Sequence, residues 1–183
     1  MRIRIFGQGP LAEALGGLAQ RAGHIVQVAE NALATPADGH SFDLMILTDS
    51  GRAVEAQLAS GSADGLRGQI IVDAITSAQT DLNEYFREAR LVRAFASVPA
   101  HAFAELLDHA SSGLEPRLAV PFAGDDRDAK AVVATFMRDI GVEPFDLGAL
   151  AAADAIAPGG PLWGKALSQI ELLEAEGWLS GDG

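Results

Sequence analysis

The chain has 183 residues, of which 49% are hydrophobic, and this suffices for one domain with a full core. A formal net charge of −12 argues against a nucleic-acid partner or an anionic membrane surface, and the absence of cysteine excludes disulfides and thiol chemistry. Because the sequence has neither a basic leader before an apolar segment nor an apolar run of about 18 residues, we expect a cytoplasmic protein with no membrane partner.

The first predicted unit is a strand, a glycine turn and a helix. Ile3 and Ile5 alternate with arginines in a strand over residues 2–6, and a helical pattern occupies residues 10–22. The segment between them, G-Q-G-P-L-A at 7–12, fits the dinucleotide-binding fingerprint in its G-x-G-x-x-A form.

Each small residue of this turn has a distinct role in the fingerprint. Gly7 allows a sharp turn, Gly9 leaves room for a pyrophosphate, and Ala12 lets the helix pack closely on the strand. Pro10 suits the first helical turn, where it needs no N–H partner within the helix. The helix N-terminus then offers N–H groups to phosphates. The alternative is a Rossmann-like turn whose site is empty.

Strands and helices alternate along the rest of the chain. The strands are predicted at 25–29, 42–48, 69–74, 91–95, 118–123 and 142–145, and the helices at 50–60, 100–110, 125–140 and 162–178. This order predicts an α/β fold with a Rossmann-type, doubly wound, mostly parallel sheet. Pro121 predicts that its strand lies at a sheet edge or ends there. A change of composition predicts a dinucleotide-binding domain over 1–148 and a C-terminal helical segment over 149–183, packed on it or on a dimer partner.

In such a sheet we expect the carboxyl ends of all strands at one rim, where a ligand binds. Glu30 can accept hydrogen bonds from ribose hydroxyls there and would repel a 2′-phosphate, so NAD(H) is favoured over NADP(H); it can equally be a solvated loop carboxylate. Alternatively, Asn31 meets the ribose and Arg52 reaches a 2′-phosphate. The candidate cofactor-binding residues are Gly7, Gln8, Gly9, Pro10, Leu11, Glu30, Asn31, Thr48, Asp49, Ala74, Ile75, Thr76, Ala96 and Ser97.

The sequence offers no group of residues typical of acid–base or metal catalysis. His24 lies at a helix–strand step and is interpreted as structural, while His40, His101 and His109 have no adjacent nucleophile motif. The acidic run at 125–128 stands where a helix dipole favours acids, so it predicts a helix start rather than a metal site. We therefore expect no bound metal.

Several motifs together resemble those of the small oxidoreductases grouped with the NADP-dependent reductases of coenzyme F-420. They are I-F-G-Q-G-P-L-A-E-A-L at 5–15, G-H at 23–24, I-V-D-A-I-T at 71–76, L-V-R-A-F-A-S-V-P-A at 91–100, P-F-A-G-D-D-R-D-A-K at 121–130 and D-I-G-V-E-P-F-D-L-G-A-L at 139–150. The resemblance covers most of residues 2–165. It implies a Rossmann domain, a nicotinamide nucleotide on the glycine loop, and hydride transfer to a flavin, a deazaflavin or another small molecule near the C-terminal segment.

The chain departs from this family's usual pattern at three pairs of residues. Glu30-Asn31 replaces a Ser/Thr-Arg pair, Thr48-Asp49 replaces Val-Pro, and Ala96-Ser97 replaces Asn-Thr. The first hypothesis is an NAD(P)-dependent oxidoreductase, the second a nucleotide-binding sensor without catalysis, and the third an assembly protein whose cleft is no longer used. The apolar residues of the last predicted helix predict a homodimer, as in the resembling family.

Overall fold

The computed structural model describes residues 1–29, 42–48, 51–57, 66–76, 86–108 and 117–179. The strands are β1 (Arg2–Phe6), β2 (Ile25–Ala29), β3 (Leu44–Leu47), β4 (Ile70–Asp73), β5 (Arg90–Ala94), β6 (Leu118–Gly124), β7 (Glu143–Asp146) and β8 (Leu167–Ser168). The helices are α1 (Pro10–Arg21), α2 (Gly51–Gln57), α3 (Ala100–Asp108), α4 (Arg127–Asp139) and α5 (Gln169–Leu179), with a 3-10 helix at Leu150–Ile156. No helix in these ranges is long and apolar enough to cross a membrane.

The strands form one sheet in the order β2-β1-β3-β4-β5-β6-β7, and β8 also pairs with β6. Strands β1 to β5 are parallel to one another. The chain places β2 on one side of β1 and β3, β4 and β5 on the other, so the strand order changes direction at β1. This confirms the Rossmann-type, mostly parallel sheet. The expectation that all carboxyl ends share one rim is wrong for β6 and β7, because β6 is antiparallel to β5 and β7 is parallel to β6.

Pro121 lies within β6 and not at a sheet edge, so this prediction is wrong. β7 pairs with β6 along one side, while β8 and β5 share the other: β8 pairs up to Ala119 and β5 begins at Phe122. The carbonyl of Phe122 accepts the Leu147 amide on the β7 side, so the neighbouring Pro121 faces the other side. Proline is tolerated because its missing N–H falls in the gap between β8 and β5.

The two faces of the sheet have different coverings. On one face, a single hydrophobic core joins the sheet to α1, α3 and α4. On the other face, one cluster surrounds Val54 of α2, and a second joins Ala119 and Phe145 of the sheet to Ile156 and Leu172 of the C-terminal segment. The C-terminal segment therefore packs on β6 and β7 of its own chain.

Helices α1 and α3 pack closely on the first face. A Cβ on Gly17 would come within 2.8 Å of Leu107, so glycine allows the close approach. The guanidinium of Arg21 donates to the carbonyls of Leu106 and Leu107 at 2.6 and 2.8 Å, which satisfies two acceptors in the last turn of α3. These contacts hold α1, and hence the glycine loop before it, against the sheet.

The predicted helix over 162–178 begins later than expected. Gly164 has a φ of 72°, which breaks the helix, and residues 167–168 pair with β6 instead. Helix α5 starts after Ser168, whose hydroxyl donates to the Glu171 carboxylate at 2.7 Å while its N–H donates to the same oxygen at 2.8 Å. These bonds lower the pKa of Glu171. Together with the donation of the Glu171 N–H to the Ser168 hydroxyl at 3.4 Å, they form a capping box that fixes the start of α5.

Candidate functional site

The glycine loop joins β1 to α1 at the reversal of strand order. Gly7 has a φ of 131° and Gly9 a φ of 118°, in the region that favours glycine. The N–H of Gly7 donates to the carbonyl of Ala29 at 3.1 Å, so β2 fixes the start of the loop. A Cβ on Gly9 would have no neighbour within 4 Å, which leaves open space above the backbone.

Helix α1 begins after this loop with its first N–H groups unused. Gly9 is the N-cap and no side chain caps the helix. Among the described residues, the N–H groups of Gln8, Gly9, Leu11 and Ala12 have no hydrogen-bond partner, and Pro10 has no N–H to offer. Free N–H groups and the positive end of the helix dipole together suit a phosphate.

Thr48 follows β3 beside this loop. Its amide and its hydroxyl both donate to the carbonyl of Phe6, at 2.9 and 3.1 Å, so the end of β3 is tied to the end of β1. Glu30, Asn31 and Asp49 were predicted to lie nearby, but they fall outside the described residues. Thr48 therefore lies near the glycine loop, and its hydroxyl already donates a hydrogen bond within the chain.

The residues that follow β4 are mostly buried. Ala74 donates its amide to the carbonyl of Leu47 at 3.0 Å, and the amide of Ile75 donates to the Asp73 carboxylate at 3.1 Å. The side chains of Ala74 and Ile75 belong to the core, whereas Thr76 is exposed at the rim. Of these three predicted site residues, only Thr76 presents its side chain to solvent.

The sequence reading missed an ion pair between β4 and β5. Asp73 is 2% exposed, and one of its oxygens accepts from Nε and Nη2 of Arg93 at 2.9 and 2.7 Å. The two residues are opposite each other in the parallel register. A signal was present, since Asp73 is the one charged residue of β4 and Arg93 stands between apolar residues of β5. The pair joins the two strands just before the rim.

Strand β5 ends in a strained turn. Phe95 has a φ of 68° and is the one non-glycine residue with positive φ in the described part of the chain. The Ala96 amide donates to the carbonyl of Ala94 at 2.9 Å, which closes a three-residue γ-turn around Phe95. The Phe95 ring packs edge-on against Phe103 and Phe136, with centroids 5.8 and 6.1 Å away. Core packing therefore holds an unfavourable backbone conformation at the rim.

Ser97 follows this turn and is buried. It is 1% exposed, and its hydroxyl has no hydrogen-bond partner in the described residues. Its carbonyl accepts the amide of Gly164 at 2.7 Å. The C-terminal segment therefore crosses the rim at Ser97. Ala96, its neighbour, is also buried.

Of the two histidines in the described residues, one lies away from the rim and the other is exposed. His24 follows α1 at the end remote from the glycine loop, with Nδ1 3.2 Å from the N-terminal amine of Met1 and Nε2 3.4 Å from the Asp139 carboxylate. Burial lowers the pKa of His24, the N-terminal charge lowers it further, and Asp139 opposes both. His101 is exposed on α3, and His40 and His109 lie outside the described ranges.

A depression of about 600 Å³ lies elsewhere, along β5 and beside the 3-10 helix. Much of its charged lining is engaged within the chain. Arg93 is held by Asp73, Asp125 accepts the amide of Leu150 at 2.9 Å, and Asp126 caps α4. The described residues include no group of three that suits a metal ion. The glycine loop is therefore the stronger candidate site.

The sheet order and the glycine loop define a Rossmann-type α/β protein. No protein-family model matches the chain, and no curated protein is similar to it. Solved structures do share the fold. A hypothetical protein, SMa0349 from Sinorhizobium meliloti, has a TM-score of 0.73 at 22% identity over 92% of this chain and 96% of its own.

Two further solved structures are named as a reductase and a reductive aminase. A candidate F420-dependent NADP reductase from Arthrobacter sp. FB24 has a TM-score of 0.65 at 20% identity, over 84% of this chain and 87% of its own. A reductive aminase from Aspergillus terreus, in complex with NADPH and ethyl levulinate, has a TM-score of 0.60 at 18% identity, and the match spans 62% of its length. These likenesses show that the chain has the Rossmann-type fold that the sequence resemblance implies.

Proposed function

We propose that this protein is an NAD(P)-dependent oxidoreductase that transfers a hydride between a nicotinamide nucleotide and a flavin-like or other small-molecule acceptor. The observation that carries the proposal is the row of unpaired N–H groups at the start of α1, beside the open space above Gly9. The named reductases that share the fold support it. We also propose membership of the F420-dependent reductase-like group.

The residues of the chain supply binding and alignment. Gly9 and the first turn of α1 hold the pyrophosphate, while the ends of β3 and β4 support the nicotinamide half across the rim. The nucleotide carries the hydride, and such a transfer requires alignment more than a proton-shuttling side chain. His24 lies at the other end of α1 and takes no part in this scheme.

The choice between NAD(H) and NADP(H) is a finer question. Glu30 favours NAD(H) on charge grounds, because it would repel a 2′-phosphate. Two of the solved structures with the same fold are named with NADP or NADPH, and these favour the phosphorylated nucleotide. We propose a nicotinamide nucleotide as the cofactor and expect direct titration of both forms to decide.

We further propose a homodimer that uses α5. Ile170 and Leu173 on this helix are 69% and 55% exposed, which supports burial against a second copy. Sedimentation at micromolar concentration should give the mass of two chains. A monomer at that concentration would contradict the proposal.

A thermal-shift panel of NAD, NADH, NADP, NADPH and flavins tests the proposed cofactor, because a ligand that binds only the native state raises the melting temperature. Turnover is then measured by oxidation of the bound reduced nucleotide with flavin or deazaflavin acceptors. Binding with turnover supports the oxidoreductase. Binding without turnover favours a sensor, and no binding favours an assembly protein.

A further inference from the structure

The hydroxyl of Ser97 is buried without a partner, and this is costly. In the described residues, nothing lies within hydrogen-bond distance and geometry of its Oγ, although the residue is 1% exposed. Leaving a buried hydroxyl unsatisfied costs about 1–3 kcal/mol, and such groups are rare in folded proteins. Alanine at this position would avoid that cost.

The backbone before Ser97 adds a second cost. The γ-turn at Phe95, with a φ of 68°, redirects the chain as it leaves β5. Strained backbone of this kind costs about 1–3 kcal/mol and clusters at ligand sites. Two unfavourable features, two residues apart, thus lie at the end of β5.

Ser97 lies at the same rim as the glycine loop. β1, β3, β4 and β5 are parallel neighbours in that order, so three strand spacings, or about 14 Å, separate the ends of β1 and β5. A dinucleotide whose pyrophosphate lies on the glycine loop extends its two halves to either side of the reversal. The nicotinamide half extends over β3 and β4 toward β5.

A short segment is hydrogen-bonded to the backbone of Ser97, and we call residues 158–166 the strap. Within the described residues, the bond from the Gly164 amide to the Ser97 carbonyl is the one backbone hydrogen bond between the strap and the end of β5. Gly164, Lys165 and Ala166 are exposed, whereas Leu162 anchors the other half of the strap in the core. The exposed half can therefore move aside at the loss of one hydrogen bond to the rim.

We propose that the Ser97 hydroxyl binds the carboxamide of the nicotinamide ring once the exposed half of the strap has moved aside. This inference rests on the proposed function and assigns a specific role to one of the predicted site residues. A hydroxyl can donate to the carboxamide oxygen or accept from its nitrogen, so the ring enters in a fixed orientation. The unsatisfied hydroxyl is then a group kept free for a ligand.

The test compares nucleotides with and without the nicotinamide ring. Ser97→Ala should weaken binding of NADH and NADPH about five- to tenfold, the usual loss for one hydrogen bond, in calorimetric titration. Binding of ADP-ribose and its 2′-phosphate, which lack the ring, should not change. The melting temperature of the free protein should stay level or rise, because the unsatisfied hydroxyl is gone.

Ser168→Ala is the matched control, because the hydroxyl of Ser168 is already bound to Glu171. It should lower the melting temperature through loss of the cap and leave nucleotide affinity unchanged. If Ser97→Ala binds NADH and NADPH as the parent does, or loses ADP-ribose equally, the inference is wrong while the proposed function stands. If the parent binds neither nucleotide nor ADP-ribose, both fail.

Discussion

At the glycine loop the left-handed backbone is supplied by glycine, which adopts it without strain, whereas at the end of β5 the packing of the core imposes it on Phe95. The N–H groups of the loop are open to a ligand, while the Ser97 hydroxyl is buried and the carbonyl of the same residue is bonded to the strap. One end of the rim is ready for its ligand, and the other must rearrange.

This difference suggests how binding energy is divided along the nucleotide. A preformed phosphate site supplies affinity, whereas a site that must first open lowers the apparent affinity by the fraction of open molecules. We therefore expect the adenosine and phosphate groups to anchor the ligand, and the ring end to control orientation.

The largest expected effect is at Gly9. Gly9→Ala places a Cβ in the space proposed for the pyrophosphate. It should weaken the binding of nucleotides and of ADP-ribose alike by about a hundredfold, since the loss of two hydrogen bonds to a charged group costs about 3 kcal/mol. The φ of 118° also makes alanine strained, at about 1–3 kcal/mol of stability.

Gly141→Ala is its control, because Gly141 has a φ of 91°, open space around a Cβ, and a position after α4 that is remote from the loop. It should lose stability without losing affinity. Undiminished nucleotide binding by Gly9→Ala would overturn the assignment of the loop.

The next largest effect should come from the ion pair between Asp73 and Arg93, which lies next to the end of the rim where we propose that the nicotinamide ring binds. Asp73→Ala removes the partner of Arg93 and an acceptor of the Ile75 amide, so we expect a loss of about 3 kcal/mol in urea unfolding. The double variant Asp73→Ala/Arg93→Ala should recover part of it, since no charge is then left unpaired. ADP-ribose affinity should hold while affinity for the full nucleotide falls. A double variant no more stable than Asp73→Ala would contradict this account.

At the adenosine end, cofactor preference should respond to charge. Glu30→Ser/Asn31→Arg removes a carboxylate and adds a guanidinium that can bind a phosphate, so preference should move toward NADP(H) about tenfold, or 1.4 kcal/mol. Titration of NADH and NADPH into parent and variant measures it. If the ratio of the affinities for NADH and NADPH does not change, residues other than Glu30 and Asn31 determine the cofactor preference.

The smallest expected effect is a pH dependence of stability at His24, which is part of neither the glycine loop nor the end of β5. Burial lowers the pKa of His24 below its ordinary 6.5, so the folded protein binds fewer protons than the unfolded chain. This contribution to stability is complete above that value and declines as the pH falls through it. Melting temperatures across this window should fall less for His24→Gln than for the parent, and His101→Gln, at an exposed position of α3, should follow the parent. Nucleotide affinity should change equally with pH in all three.

The β1–α1–β2 unit follows closely from the sequence. The predicted strands over 2–6 and 25–29 have the observed bounds, and α1 differs by one residue at its end. Alternating apolar residues, a proline at the helix start and glycines at the turns are local signals that need no distant partner. The glycine loop was predictable for the same reason.

The rest of the site depends on distant contacts. The direction of β6 is set by the strands that pair with it. The position of the strap is fixed by its hydrogen bond to Ser97 and by the pairing of β8, which follows it, whereas the sequence pattern predicts a helix from residue 162. The γ-turn at Phe95 has no sequence signal, because a phenylalanine in that conformation is stabilised only by the rings around it. The rim at β5 was therefore predicted as a list of residues without its geometry.

Pro121 also has a consequence for aggregation during synthesis of the chain. β6 is complete before β8 has been synthesised, so one side of its first half is for a time an unpaired strand edge. Such edges recruit other chains, and proline is one residue by which natural proteins prevent it. With no N–H on that side, Pro121 interrupts the ladder that an intruding strand would need, and β8 later pairs only with the residues before it.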